Sequence, residues 1–245
     1  MDAKTELKSS VEVSVVFPAY NEAEALEVAV EKVTEALNEF ARSYEIIIAE
    51  DGSTDGTDKL AAALAEKHSY VKHIHGEKRL GRGTALKNAF KQSSGEVLVY
   101  MDLDLATDLK HLKSLVGAVE SEGYDFATGS RMLPESNVER SGTRNIASKT
   151  YNFMVRALLG SKVKDHQCGF KAFRREPLMQ LLDEVGAGHW FWDTEILVRA
   201  HLRGYKIKEI PVSWKGGRET KVKLLKDSLN MFWQAFSLWW HLKVQ

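Results

Sequence analysis

Short unbroken apolar runs alternate along this chain with longer stretches in which apolar residues recur every third or fourth position. "VEVSVVFPAY" (11–20) is a β-branched run ending at Pro18 and reads as a buried first strand. Asn21 then stands where a cap is expected for a helix over about 22–40, with Leu26, Val30, Val33 and Leu37 on one face. "YEIIIAED" (44–51) predicts a second strand that runs into the turn "DGSTDGT" (51–57). The pattern then predicts a helix over 58–68, a strand over 70–75, a helix over 81–92, a strand over 95–102, a helix over 108–123 and a strand over 124–130. Strands and helices in strict alternation predict an α/β fold with a mainly parallel sheet covered on both faces.

Beyond Arg131 the rhythm changes. A long amphipathic helix is predicted over 144–160, followed by "DHQCGFKAFRRE" (165–176), "HWFWDTEILVRAHLRG" (189–204) and the strand-like "YKIKEIPVSW" (205–214). The tail from 221 to 243 is helical in pattern. Its polar stripe is Lys223, Asp227, Asn230, Gln234, Ser237 and His241, and the remainder is apolar, with Leu225, Leu229, Phe232, Phe236, Trp239 and Trp240. Two units are therefore expected: a main domain over 1–220 and an amphipathic helix over 221–245 that lies in a membrane interface or packs on protein.

Composition narrows the possibilities. Lys and Arg number 34 and Asp and Glu 34, so no basic surface is available for wholesale nucleic-acid binding. Hydrophobic residues make up 44% of the 245, enough for a substantial core. The single cysteine, Cys168, rules out an internal disulfide and suits a reducing compartment. "MDAKTELKSS" (1–10) has no apolar stretch of the signal-peptide kind, and no run approaches the roughly 20 apolar residues of a spanning helix. The expectation is a soluble or peripheral protein.

Chemistry concentrates at three predicted strand ends, "PAYNE", "EDGSTDGT" and "DLDLATD", where open parallel sheets bind ligands. Loops of this kind suit a base and ribose, and Asp51 can accept from a base N–H. Asp102 and Asp104, two apart in an extended segment, would point the same way. Such a pair either holds a hard divalent cation through oxygens or caps the following helix. Asp108 is assigned to the cap. Gly81 and Gly83 would let backbone approach a ligand at a helix start, or would only make a turn. Arg131, Arg218 and Lys221 are candidate phosphate ligands. Asp193 and Glu195 stand among aromatics, which calls for a helix cap or a substrate contact. His73 and His75, in "HIH", lack further ligands in the sequence, so a metal there is not expected. Cys168 beside His166 reads as a buried structural thiol rather than a nucleophile.

Taken together and in order, "VVFPAYNEAEAL", "EDGSTDGT", "LGRGTALKNAF", "MDLDLAT", "GSR" and "QCGFKAFRRE" resemble the family 2 glycosyltransferases of GT-A fold. "FWDTEILVRA", "IKEIPVSW" and "RETKV" resemble their polyprenyl-phosphate (dolichyl-phosphate) sugar synthase branch, with the glucose synthases closer than the mannose synthases. The resemblance runs from about Val11 to Lys226. It implies an inverting, metal-dependent transfer of a hexose from a nucleotide sugar, UDP-glucose favoured over GDP-mannose, to a polyprenyl or dolichyl phosphate. Pro18, Tyr20, Glu22 and Asp51 would line the nucleotide, with Gly81, Gly83 and Asp102. Asp102 and Asp104 would hold Mg²⁺ or Mn²⁺. Arg131, Arg218, Thr220 and Lys221 would gather the phosphates, and Asp104, Arg131, Asp193 and Glu195 would form the catalytic set. The implied location is peripheral, on the cytoplasmic face of a membrane. Thr220 stands where the branch usually has serine, and no membrane helix is apparent. A non-catalytic nucleotide-sugar-binding protein is the alternative of a different class. A nucleotidyltransferase is disfavoured, because the first strand ends in "PAYNE" rather than a Gly-rich loop.

Overall fold

The computed structural model describes residues 11–216 and 224–244, with side chains of the second stretch covering 230–243. Arg218, Thr220 and Lys221 lie outside the described residues. The predicted alternation is present as β1 (Val13–Ala19), α1 (Ala23–Asn38), β2 (Tyr44–Asp51), α2 (Thr57–Lys67), β3 (Val71–Gly76), α3 (Arg82–Gln92), β4 (Val97–Met101), α4 (Leu112–Glu120) and β5 (Phe126–Ser130). There follow β6 (Asn137–Glu139), α5 (Gly142–Leu159), β7 (Phe170–Arg174), α6 (Arg175–Leu182), α7 (Trp192–Leu202), β8 (Ile207–Pro211), β9 (Ser213–Lys215) and α8 (Leu224–Val244).

The main sheet has the order β3-β2-β1-β4-β7-β5-β8. All its pairings are parallel except those of β7, which runs antiparallel to β4 and β5. The sheet is thus mainly parallel, as expected. A small parallel ribbon of β6 and β9 forms a second sheet; β9 begins at the end of the strand-like segment 205–214, whereas β6 has no counterpart in the sequence reading.

Alternating side chains feed two cores. Val15, Phe17, Ile46, Ile48 and Val99 pack under α1, α2 and α4. Val16, Ile47, Leu98, Tyr100 and Phe173 pack against α3, α6 and α7, where Phe90, Phe173 and Trp192 form an aromatic cluster. Each such fully buried side chain contributes about 1.5–3 kcal/mol of transfer free energy.

Asn21 does not cap α1. It adopts a left-handed conformation (φ 53°) and its side chain accepts the Thr54 N–H at 2.8 Å. The α1 terminus is capped instead from the loop after β2: Glu22 N–H donates to Thr57 Oγ1 (2.8 Å) and Ala23 N–H to Asp55 Oδ2 (3.2 Å). Asn21 N–H donates to Ser53 Oγ (3.1 Å), so the first two rim loops are tied side chain to backbone. Asp108 caps a 3-10 turn before α4, accepting from Lys110 N–H at 3.0 Å, as assigned.

Helix α8 packs on α5 and α7 through a narrow stripe of Met231, Ala235 and Leu238. The expected polar stripe does not face open solvent alone: Gln234, Ser237 and His241 line a cleft beside Glu195 and Arg199 of α7. The aromatic side points out, leaving Phe232, Trp233, Phe236 and Trp240 exposed, alongside Ile146 and Phe153 of α5. Among the described residues no helix is long and apolar enough to cross a membrane.

His166, in the loop between α5 and β7, is fully buried against α5. Its Nδ1 and its backbone N–H both point at Asn152 Oδ1 (2.8 and 2.9 Å), which fixes Nδ1 as the protonated nitrogen. Its Nε2 then accepts from Ser161 Oγ (2.9 Å). Burial pulls the ring down to about 3 from 6.5, so the folded state binds it neutral. Between those values the unfolded chain takes up the proton and the folded one does not. Stability is therefore full above pH 6.5 and falls as pH drops toward 3, by an amount of order 4 kcal/mol from this ring. Urea titrations from pH 7 to 4 are expected to show a shallower decline for His166→Gln than for the wild type; parallel curves would discard the assignment.

Candidate functional site

β1 lies beside β4, and the chain leaves β1 toward β2 on one side and β4 toward β5 on the other, so a crevice opens at their carboxyl ends. Two adjoining cavities occupy it. One, of about 320 Å³, is lined by Pro18, Tyr20, Glu22, Asp51, Asp102 and Asp104 among others. The second, of about 580 Å³, is lined by Arg140, Arg144, Ser148, Tyr151, Asp193 and Phe232 among others. Arg82, Asp102, Arg131, Gln167, Trp190 and Trp214 border both.

Asp102 and Asp104 lie beyond the end of β4 rather than on an extended strand. A turn closes over them, with Leu105 N–H donating to Asp102 O (3.2 Å) and Leu105 itself left-handed (φ 47°). Leu103 turns into the core, and both carboxylates remain on the smaller cavity. Asp104 Oδ1 accepts from Ala106 N–H at 3.0 Å, and the residue is exposed. Asp102 Oδ1 lies 2.6 Å from Arg82 Nη2, and the Asp102 side chain keeps 38% exposure toward the cavity. Burial is the main influence raising the Asp102 pKa above the carboxylate norm; Arg82 opposes it, and the negative charges of Asp104 and Asp193 add to it. Gly169 makes this placement possible. A Cβ there would sit 1.9 Å from Asp102 Oδ2, while the Asp102 N–H donates to Gly169 O (3.1 Å). Gly169→Ala is therefore expected to swing the carboxylate aside, lowering turnover at least 10-fold while changing stability by about 1 kcal/mol. Wild-type kinetics in that variant would show that the carboxylate position is immaterial.

Asp51 is buried, and its two oxygens accept the N–H groups of Leu80 (2.7 Å) and Gly81 (2.8 Å). It borders the smaller cavity but spends its carboxylate on the loop before α3. Gly81 and Gly83 do not line that cavity. A Cβ on Gly81 would meet Gly188 O at 2.4 Å and one on Gly83 would meet Ala187 O at 2.6 Å, so protein backbone occupies the approach expected for a ligand. The N–H of Gly83 donates to Gly188 O (2.9 Å). Tyr20 lies under the Arg79 guanidinium, 3.7 Å from the ring centroid.

Asp193 and Glu195 part company because residues two apart on a helix point about 200° away from each other. Asp193 is no helix cap. It faces the larger cavity and pairs with Lys171, whose Nζ is 2.6 Å from Oδ1 and fully buried. Tyr100 OH also donates to it, and Arg82 Nε stands 3.9 Å away. Glu195 faces the other way, accepting from Ala187 N–H (2.9 Å) and from Arg199 Nε (2.8 Å). It borders neither cavity of the crevice, so a direct catalytic contact, as the motif implied, does not follow from its position.

Arg131 is only 11% exposed and grips the fully buried Asp165 bidentately, Nε to Oδ2 at 2.7 Å and Nη2 to Oδ1 at 2.9 Å. This pairing holds the Asp165 carboxyl well below the usual range, against the opposing effect of burial. The remaining donors of its fork are not used by that pair.

Four charged residues escaped the sequence reading. Arg82 joins Asp102 and Asp193 and donates to Tyr100 OH (3.0 Å); Lys171 neutralises Asp193. Arg140 and Arg144 line the larger cavity. The Nε of Arg82 and the Nε of Arg140 are buried with no hydrogen-bond partner. A Lys flanked by phenylalanines in "FKAF" was the available signal for Lys171, since an isolated charge in an apolar strand needs a counterion. Cys168 is buried and burial pushes its thiol up to about 11, which leaves it unreactive.

Residues 14–182 match the profile of glycosyl transferase family 2. The chain is 48% identical to Glycosyltransferase AglD of Haloferax volcanii over 97% of its own length, but it spans only 38% of that protein. It is 32% identical to the dolichyl-phosphate beta-glucosyltransferase of Dictyostelium discoideum, over 91% of this chain and 72% of that one. In fold it is similar to glucosyl-3-phosphoglycerate synthase of Mycobacterium tuberculosis in complex with Mn²⁺, UDP and glucosyl-3-phosphoglycerate, with a TM-score of 0.65 at 23% identity, covering 94% of this chain and 78% of that one.

Proposed function

Because this chain belongs to glycosyl transferase family 2, we propose that it transfers a hexose, glucose from UDP-glucose foremost, to a polyprenyl phosphate such as dolichyl phosphate, with inversion at the anomeric carbon. The observation that carries the reading is the pair of adjoining cavities. One is walled by acids and the interlocked loops after β1 and β2; the other is lined by Arg82, Arg131, Arg140 and Arg144. The first suits a nucleoside, with Pro18, Tyr20, Glu22 and Asp51 around base and ribose. The second suits an acceptor phosphate, and its far wall of Tyr151, Met154, Met231 and Phe232 suits the start of an isoprenoid chain.

Asp102 and Asp104 fit a divalent cation, Mg²⁺ or Mn²⁺. They offer hard oxygen donors on one cavity, and crowding among Asp102, Asp104 and Asp193 is the kind of negative potential a cation relieves. Bound there, the cation supplies positive charge to the departing diphosphate. The protein's own share is electrostatic. A phosphate monoester is already anionic at neutral pH, so its oxygen attacks C1 without a strong base. Arg82 and Arg131 stand between the cavities, where they offset repulsion between the two anions and stabilise charge on the leaving group. Lys171 holds the Asp193 carboxylate in place beside them. Arg218, Thr220 and Lys221 are proposed to complete the phosphate set.

The exposed aromatics of α8 include Phe232, which also lines the larger cavity, and Ile146 and Phe153 of α5 are exposed as well. This supports a peripheral position on a membrane, with the lipid entering between α5 and α8. The test is incubation of the full chain with labelled UDP-glucose, GDP-mannose and other donors plus a short polyprenyl phosphate. Label in the organic phase with UDP-glucose is expected. Label with GDP-mannose alone would make the chain a mannosyltransferase; no lipid product from any donor would favour the non-catalytic binding protein and overturn the assignment.

A further inference from the structure

The His-Ile-His segment, without partners in the sequence, gains one in the fold. In the parallel pairing of β2 and β3, Glu50 stands opposite His75 and Ile48 opposite His73. Alternation puts both imidazoles on the same face of β3. Their rings lie 5.9 Å apart, and His75 Nδ1 is 2.6 Å from Glu50 Oε2. One ligand atom from each of Glu50, His73 and His75 lies within 4.8 Å of the others, the one group of this kind among the described residues. The Glu50 side chain is fully buried, whereas His75 is 51% exposed on an edge strand, so solvent has a way in. Glu50 is anchored by the Ser53 N–H, and the Nε2 of His73 is buried with no hydrogen-bond partner. The Asp58 carboxylate adds negative potential from the first turn of α2.

We propose that Glu50, His73 and His75 form a transition-metal site that takes Zn²⁺ or a similar borderline ion. Two imidazoles, one carboxylate and an open position make a zinc-type donor set. Ions late in the first-row series bind such ligands in preference to Mg²⁺ or Mn²⁺, which separates this site chemically from the oxygen donors of Asp102 and Asp104. Tetrahedral bonds of about 2.0–2.1 Å place ligand atoms about 3.3 Å apart. The His75–Glu50 contact therefore opens by about 0.7 Å as the metal inserts, well within side-chain movement. On insertion the metal takes Nδ1 of His75, and the proton of the neutral ring moves to Nε2. Because Ser53 belongs to the loop that caps α1, an ion here also braces the rim of the smaller cavity.

The experiment is a titration of the untagged full chain with Co²⁺ and Zn²⁺, read by cobalt visible absorption, calorimetry and thermal shift. Near-stoichiometric binding is expected in the wild type and equally in Asp102→Asn/Asp104→Asn. At least a 10-fold weakening is expected in His75→Gln, and more in His73→Gln/His75→Gln, with circular dichroism checking the fold. His75→Gln, at a half-exposed position, keeps the comparison usable should the double variant misfold. Saturable binding that the His75 substitution leaves unchanged, or no saturable binding in Asp102→Asn/Asp104→Asn, overturns the site. Neither outcome depends on sugar transfer.

Discussion

Asp104→Ala is expected to lower sugar transfer by about 100-fold or more while leaving thermal stability within about 2 °C of wild type. Asp104 is exposed and accepts a hydrogen bond from the nearby Ala106 N–H. Folding therefore loses little, whereas a cation held by Asp102 and Asp104, as proposed, would lose one of those two carboxylates. The loss should fall on kcat, since charge on the leaving group grows toward the transition state. Partial recovery at high Mn²⁺ would place the defect in metal affinity. Transfer at the wild-type rate would falsify the metal assignment, since Asp102 is the one other acid of this loop on the cavity and Asp108 is held in its cap by Lys110.

The second large effect is on folding as well as activity. Lys171→Met removes the buried cation beside Asp193 and leaves a carboxylate with 4% residue exposure facing only Tyr100 and, at 3.9 Å, Arg82. Breaking a buried pair from one side typically costs about 3–5 kcal/mol. Asp193→Asn in the same chain removes the uncompensated charge, so the double variant should recover a good part of that stability without recovering transfer. Denaturant titration of the four chains of this cycle measures the coupling directly. Additive losses would mean that the two side chains do not act as a pair.

Much of the fold was readable because its signals are local. β-branched runs and helical periodicity mark every element from β1 to β5, and small polar residues mark the strand ends that form the rim. What escaped depends on pairing across the chain. β7 is short, and nothing within "FKAF" says that it will slot antiparallel between β4 and β5. Its insertion is what brings Lys171 under Asp193. The Asp193–Glu195 pair could have been resolved from helical phase alone, because residues two apart cannot share one pocket. Asn21 sits at a cap position by spacing, yet the capping comes from a loop 32 to 35 residues away. The inward-facing arginines are silent in the sequence, where any isolated arginine reads as surface.

The knot between the first two rim loops bears on binding. Loops that order only around a ligand subtract conformational entropy from its affinity. Here the segments after β1 and β2 already hold each other through the Ser53, Thr54, Asp55 and Thr57 contacts, and Asp51 clamps the loop before α3. The rim of the smaller cavity is thus tied together before anything enters it, so a nucleoside bound there, as proposed, would lose little affinity to loop ordering. On that reading, a nucleotide is expected to bind ahead of the lipid acceptor, which initial-rate kinetics with both substrates varied would check.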